Sequence, residues 1–216
     1  MTDKNAGLAV LGGTFDPVHY GHLHSAVAVR DLLSVDSIRL MPSYMPPHRN
    51  LPQTSASQRL EMLRIAISQY DGLELDEREI LRQGVSYTID TLRSLRSDIG
   101  PQAALCFVLG FDSYRTLNEW QRWQELSDVA HLLVLARPGF SAALPAEIAL
   151  WASDKMVDEA SRMMESPCGN ICCVELVQLE ISATEIRQMI AAGGSPEEMT
   201  TQGVIDYIRQ QGLYRC

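Results

Sequence analysis

The sequence predicts an α/β protein with a Rossmann-like, doubly wound and mainly parallel sheet that carries helices on both faces. Short apolar runs alternate with longer segments of helical periodicity along the whole chain, and strands separated by helices usually pair in parallel. The 216 residues, 46% of them hydrophobic, also suffice for a substantial core without disulfides or metals. We expect a single domain over residues 1–216.

Each element is predicted from its local pattern. Residues 8–11 are apolar and are followed by Gly12-Gly13, which is typical of a buried strand. From Gly21 onward, apolar residues recur at helical spacing. Strands are predicted at 8–11, 38–41, 103–109, 131–136 and 171–176. Helices are predicted at 21–33, 57–68, 86–95, 183–192 and 204–211, with 112–126 mostly helical and 144–165 partly helical.

A proline-rich stretch follows the second predicted strand. Pro46, Pro47 and Pro52 exclude regular structure there, because proline has no amide proton and a fixed φ. We therefore expect about 42–84 to leave the sheet as a small lobe, with 42–51 closing over a ligand.

Composition and charge argue against several classes of function. The net charge of −9, from 27 acidic and 18 basic residues, argues against a broad nucleic-acid-binding surface. No apolar run approaches the ~20 residues of a membrane span, and the polar residues 1–7 do not resemble a signal peptide. The five cysteines lack zinc-site spacing. We expect a cytoplasmic enzyme with neither a nucleic-acid nor a membrane partner.

The segment from Gly12 to His22 is the first candidate site, because it joins a strand to a helix at the ligand-binding edge of the predicted sheet. Two glycines let backbone amides approach a ligand, and a helix start attracts anions. His19 and His22 project to one side, and either can carry charge near neutral pH. The alternative is a pair of surface histidines. The loop matches neither the dinucleotide-binding nor the P-loop pattern.

The segment from Ser182 to Arg187 is the second candidate site. Ser182 and Glu185 have the spacing of a helix capping box, which would by itself explain the serine. A capping box needs neither Thr184 nor Arg187, and an arginine beside a helix start forms an anion site.

These two motifs resemble those of the H-x-G-H nucleotidyltransferase superfamily. Gly12 to His22 reads GGTFDPVHYGH, and 181–187 resembles the ISSTxIR motif, with Ala183 in place of the second serine. The resemblance implies that the two histidines stabilise charge on the α-phosphate. It also implies that Ser182, Thr184 and Arg187 bind the triphosphate of ATP, with one hydroxyl contact missing at Ala183.

Further segments resemble one family, the bacterial nicotinate-nucleotide adenylyltransferases, in order along almost the whole chain. They are the PPHR of 46–49, the SYTIDTL of 86–92, the GFDS of 110–113 with Trp120, the RPG of 137–139, and the YI and GLY of 207–208 and 212–214. Phosphopantetheine and cytidylyl transferases resemble this chain only in the two phosphate motifs.

The resemblance implies specific site residues. His19, His22 and Arg187 form the catalytic set. Thr88 would begin a helix whose first amides bind the nicotinate carboxylate; the alternative is an ordinary helix cap. Trp120 would stack on the pyridine ring; the alternative is a tryptophan in the core beside Trp123. The ATP and phosphate set comprises Gly12, Gly13, Thr14, Phe15, His48, Arg49, Gly110, Asp112, Arg137, Ser182 and Thr184. In that set Asp112 would accept hydrogen bonds from ribose hydroxyls, or would be a helix N-cap.

The implied reaction is transfer of AMP from ATP to nicotinate mononucleotide, giving nicotinate adenine dinucleotide and pyrophosphate in NAD biosynthesis. Mg²⁺ would be held mainly by the ATP phosphates. Two alternatives remain open at this point: an adenylyltransferase that prefers nicotinamide mononucleotide, and a nucleotide sensor without catalytic activity on the same fold. The oligomeric state does not follow from the sequence.

Overall fold

The chain forms one six-stranded, fully parallel sheet. In this computed structural model, residues 7–45, 51–136, 143–176 and 179–215 are described. The strands are β1 (Leu8–Gly13), β2 (Ile38–Pro42), β3 (Leu73–Leu75), β4 (Leu105–Gly110), β5 (His131–Ala136) and β6 (Ile171–Glu175). Their order across the sheet is β3-β2-β1-β4-β5-β6, which confirms the predicted Rossmann-like fold class.

The helices connect these strands. They are α1 (Tyr20–Leu33), α2 (Ala56–Ile67), α3 (Arg78–Arg82), α4 (Thr88–Ile99), α5 (Phe111–Tyr114), α6 (Leu126–Val129), α7 (Ala146–Ala152), α8 (Ala183–Ala191) and α9 (Gln202–Gln211). Short 3-10 helices span Leu117–Glu119, Trp123–Glu125 and Ala160–Met164. No helix among the described residues combines the length and the apolar character that crossing a bilayer requires.

The core lies on both faces of the sheet, because alternate residues of each strand point to opposite sides. On β1, Ala9 and Leu11 join the cluster under α1, α2 and α9, whereas Leu8 and Val10 join the cluster under α4, α6 and α7. The middle strands are therefore apolar throughout, as expected for a sheet covered on both sides.

The region 42–84 differs from the prediction of a lobe. Within it, β3 pairs with β2, and Met62, Leu63 and Ala66 of α2 are fully buried in the core. The edge strand β3 has only three residues, with Glu74 in the middle and Asp76 directly after it, so the sequence pattern did not reveal it. The proline-rich part, 46–50, lies outside the described residues.

The segment 112–126 is less regular than the mostly helical segment that its sequence predicts. It consists of α5 and two 3-10 helices, with an extended residue at Trp120 (φ −82°, ψ 143°) and a left-handed one at Arg122 (φ 55°). These two turns let Leu117 and Leu126 reach the core. Tertiary packing has overridden helix propensity here.

The strand order reverses between β1 and β4, the two central strands. In open α/β sheets, the connections leave such strands toward opposite faces and open a crevice at their carboxyl ends. The fold thus predicts a ligand site after Gly13 and Gly110.

Candidate active site

A cavity of about 940 Å³ lies at this crevice. It is bordered by the ends of β1, β2, β4 and β5 and by the starts of α1, α4 and α8. It is lined by every predicted site residue that the structure describes, namely Gly12, Gly13, Thr14, Phe15, His19, His22, Thr88, Gly110, Asp112, Trp120, Ser182, Thr184 and Arg187. Residues distant in sequence thus meet in one place.

The glycines of the first motif are required by close aromatic packing. A Cβ atom at Gly13 would lie 2.8 Å from the ring of Phe15, and one at Gly12 would lie 3.0 Å from the ring of Phe107. Phe15 itself is buried and left-handed, with φ of 53°. The sequence predicted the glycines for ligand approach; the structure adds that the protein's own rings occupy the space of their side chains.

The two histidines stack on each other at the start of α1. Their ring centroids lie 3.7 Å apart with 28° between the planes, and His22 also contacts the edge of Phe15 at 4.9 Å. A Cβ at Gly21 would lie 3.0 Å from His19 Nδ1, so the glycine between them lets the ring of His19 fold over the helix start. The motif therefore presents both imidazoles to the cavity in a fixed arrangement.

His19 is neutral in the free protein. Burial lowers its pKa to about 4, and its Nδ1 has no hydrogen-bond partner among the described residues. The expectation that either histidine carries charge near neutral pH therefore does not hold for His19 before a ligand binds. An anion in the cavity would raise this pKa, because an opposite charge favours the imidazolium.

The buried His19 should make stability depend on pH. In the unfolded chain it protonates near pH 6.5, whereas in the folded chain it does so only near pH 4. Between these values the unfolded state holds the extra proton, so acid favours unfolding. Between pH 7 and 5, we expect the wild type to lose about 2 kcal/mol more unfolding free energy than His19→Gln.

Urea unfolding of both proteins at the two pH values measures this difference. His131 also has a pKa lowered by burial, but it is present in both proteins and cancels. Equal losses would mean that His19 is not buried as a neutral side chain.

The second motif meets the first through Arg187. Arg187 Nη1 donates to the carbonyl of Asp16 at 2.7 Å, and Nη2 donates to Thr184 Oγ1 at 3.1 Å. Ser182 Oγ accepts a hydrogen bond from the Glu185 amide at 3.2 Å, so Ser182 caps α8. The hydroxyl protons of Ser182 and Thr184 remain available as donors to a phosphate.

The Nε–H group of Arg187 is a further hydrogen-bond donor. Its Nε is buried and has no partner among the described residues. A buried N–H without a partner is costly, and a phosphate oxygen would satisfy it. The arginine thus tethers the two loops and still offers a charge-assisted hydrogen bond.

The cavity lining also includes a helix start and an aromatic side chain. Tyr87 precedes α4 and makes no side-chain capping bond, so its side chain does not cap the Thr88 and Ile89 amides. The next two amides, of Asp90 and Thr91, donate to the Tyr87 carbonyl. Trp120 is half-buried, with its ring centroid 6.4 Å from that of Phe107. Trp123 packs on Trp151, with ring centroids 4.9 Å apart, and Trp120 and Trp123 both pack against the same core cluster.

The remaining predicted residues fall into two groups. Asp112 is exposed in α5, and Gly110 is the N-cap there, so Asp112 is not the helix cap. His48, Arg49 and Arg137 lie outside the described residues, and their assignments stay predictions.

Comparison with known proteins identifies the family. The sequence pattern of the cytidylyltransferase-like family matches residues 10–189. A protein of Aeromonas salmonicida named "Probable nicotinate-nucleotide adenylyltransferase" is 43% identical over 211 residues, which cover 98% of both chains. The chain belongs to the nicotinate-nucleotide adenylyltransferase family. A protein of the same name from Marinobacter nauticus is also 43% identical to the present chain, and the alignment covers 95% of both chains.

Solved structures agree with this family's fold. The nicotinic acid mononucleotide adenylyltransferase of Plasmodium falciparum in complex with NaAD superimposes with a TM-score of 0.72, covering 96% of this chain and 97% of that one. The same protein complexed with APC, an ATP analogue, gives 0.70 and covers 97% of each chain. At 18% sequence identity, these similarities show the fold alone.

Sequence reasoning missed several residues of this adenylyltransferase site. Asp16 and Glu79 are buried carboxylates that line the cavity, and Arg59 lies fully buried beneath it. Arg59 had a signal in the sequence: it occupies the same helix face as Met62, Leu63 and Ala66, where a charge is unexpected. Glu79 had none, because the short α3 shows no clear periodicity.

Proposed function

We propose that this chain transfers AMP from ATP to nicotinate mononucleotide, giving nicotinate adenine dinucleotide and pyrophosphate in NAD biosynthesis. The observation that carries this proposal is the shared cavity. Two phosphate motifs meet in it through Arg187 and Asp16, and Thr88 at the start of α4 and Trp120 also line it. A dinucleotide product likewise combines a phosphate-rich centre with a terminal pyridine ring.

The proposed reaction does not require the protein to remove a proton from the nucleophile. The mononucleotide's phosphate oxygen is already ionised at neutral pH and acts as the nucleophile. The protein must align two anions and stabilise charge that develops on the α-phosphate. His22, His19 and Arg187 are the donors we assign to this task, with the backbone amides of the glycine loop and of α8.

Among the residues described here, no group of three or more His, Cys, Asp or Glu side chains is placed to hold a metal ion. We propose that Mg²⁺ is bound mainly to the ATP phosphates and water, where it neutralises phosphate charge. The cytoplasmic location stays a prediction from the sequence.

One assay tests the proposed reaction. ATP is supplied with nicotinate mononucleotide or with nicotinamide mononucleotide, and pyrophosphate release is followed. We expect release with the acid substrate. A protein that binds ATP but releases no pyrophosphate with either mononucleotide would be a nucleotide sensor.

Arg187→Ala should weaken ATP binding by about 1.5–3 kcal/mol, the contribution of a hydrogen bond to a charged group. The affinity for the mononucleotide should change much less, because Arg187 lies at the triphosphate end. Calorimetric titration with each ligand measures both values. Arg209→Ala is the matched control, since Arg209 is an exposed arginine outside the cavity. Equal losses for both ligands would place Arg187 between the two substrates.

A further inference from the structure

Arg59 lies beneath the glycine loop and contacts no solvent. It is 1% exposed, on the buried face of α2. Its Nη1 donates to the carbonyl of Thr14 at 2.8 Å, and its Nη2 donates to the carbonyl of Tyr44 at 2.9 Å. One guanidinium therefore holds the loop after β1 and the chain that follows β2 at a fixed separation.

Asp16 forms a second connection between the same two parts of the chain. Its Oδ2 accepts from the Gln53 amide at 2.7 Å, and its Oδ1 accepts from Thr54 Oγ1 at 2.6 Å and from the Tyr214 hydroxyl at 2.7 Å. Tyr44 and Gln53 stand on either side of 46–50. The chain on both sides of that stretch is therefore tied to the glycine loop.

The charges around Arg59 favour its protonated form. Burial lowers the pKa of Arg59, and the nearby Asp16, Tyr214 and Glu79 act in the opposite direction. Arginine stays protonated in proteins, so Arg59 is a buried cation near Asp16 and Glu79, two carboxylates that line the cavity. Removing this charge would take a nearby positive charge away from two buried carboxylates, which is costly.

We propose that Arg59 is a positioning residue for the transfer reaction: it fixes the glycine loop against the segment after β2 and so aligns the phosphate-binding groups of the cavity. This inference rests on the proposed function. The planar guanidinium makes both bonds at once, whereas a lysine ammonium at the same place would keep the charge without the two-pronged geometry. Since a displacement of about 1 Å can cost ~100-fold in rate, loss of this geometry should reach catalysis.

The test compares Arg59→Lys with Arg96→Lys. Arg96 is the matched control because its guanidinium also holds backbone carbonyls together, those of Gly100, Ala103, Val129 and Pro167. These carbonyls precede β4, β5 and β6, at the edge of the sheet opposite the cavity. Arg59→Met removes the charge as well as the hydrogen bonds, and it is compared with Arg59→Lys if it folds.

Three quantities are measured for each folded variant: kcat for pyrophosphate release, the Kd of inorganic tripolyphosphate and the thermal midpoint. For Arg59→Lys we expect kcat to fall at least ~10-fold and tripolyphosphate binding to weaken, in line with a loop displaced by a fraction of an ångström. Arg96→Lys should lower the thermal midpoint and leave kcat and tripolyphosphate binding unchanged.

The outcomes separate the inference from the function on which it rests. If Arg59→Lys lowers only the thermal midpoint, as Arg96→Lys does, then Arg59 is structural and the inference is wrong. If the wild type releases no pyrophosphate with either mononucleotide, the proposed function fails. The tripolyphosphate comparison would still decide whether Arg59 positions the phosphate-binding loop.

Discussion

Replacing His22 with alanine is expected to lower kcat for AMP transfer by at least ~100-fold, the effect of losing one donor to a transition-state charge. The imidazole lies at the start of α1, stacked on His19 and against Phe15, and lines the cavity where the two phosphate motifs meet. Free energy of unfolding should change little, because the side chain is only half-buried.

His24→Ala is the matched control for this substitution. His24 is on the same helix, two residues further on, exposed and outside the cavity. Steady-state kinetics of both variants, with urea unfolding beside them, separate a catalytic loss from a structural one. Full activity of His22→Ala would remove the central element of the mechanism. His19→Ala should lower kcat similarly and weaken ATP binding as well.

The second large effect is a preference for nicotinate over nicotinamide mononucleotide by at least ~100-fold in kcat/KM. The uncapped start of α4 presents amide donors to the cavity, which suit a carboxylate. The amide substrate would bring an N–H₂ donor to these donors and leave groups unpaired. The ratio of kcat/KM for the two substrates in the wild type measures the preference directly.

Trp120→Ala should reduce kcat/KM for both pyridine substrates and leave ATP affinity nearly unchanged, because stacking on the ring does not depend on its carboxylate. Trp123→Ala serves as control, since Trp123 packs on Trp151 outside the cavity. Near-equal use of the two mononucleotides by the wild type would refute the carboxylate pocket. Loss of ATP affinity in Trp120→Ala would place this tryptophan at the adenosine end.

Phosphate motifs were readable in the sequence because their chemistry is local. Two histidines three residues apart after a glycine pair, and Ser182, Thr184 and Arg187 within six residues, are set by the geometry of a strand–helix junction. Their meeting in one cavity follows from parallel strands having their carboxyl ends at the same edge. The alternation of strands and helices was therefore sufficient to predict the fold class and the edge of the sheet at which the two motifs meet.

Other features depend on contacts between distant parts of the chain. The breaks at Trp120 and Arg122 interrupt a segment with helical periodicity. They allow Trp120 to line the cavity while Leu117 and Leu126 pack in the core. The three-residue β3 exists because β2 offers it an edge to pair with. Neither has a sufficient local signal.

The sequence by itself determined the fold class, the two phosphate motifs and the family to which the chain belongs. Only the tertiary structure decided that His19 is neutral in the free protein, that Arg187 joins the two motifs through the Asp16 carbonyl, and that Arg59 lies buried beneath the glycine loop. The physical reason is that burial and hydrogen-bond partners are properties of the packed molecule. A side chain's charge and orientation depend on neighbours that can lie far away along the chain, 171 positions for Arg187 and Asp16 and 198 for Tyr214 and Asp16.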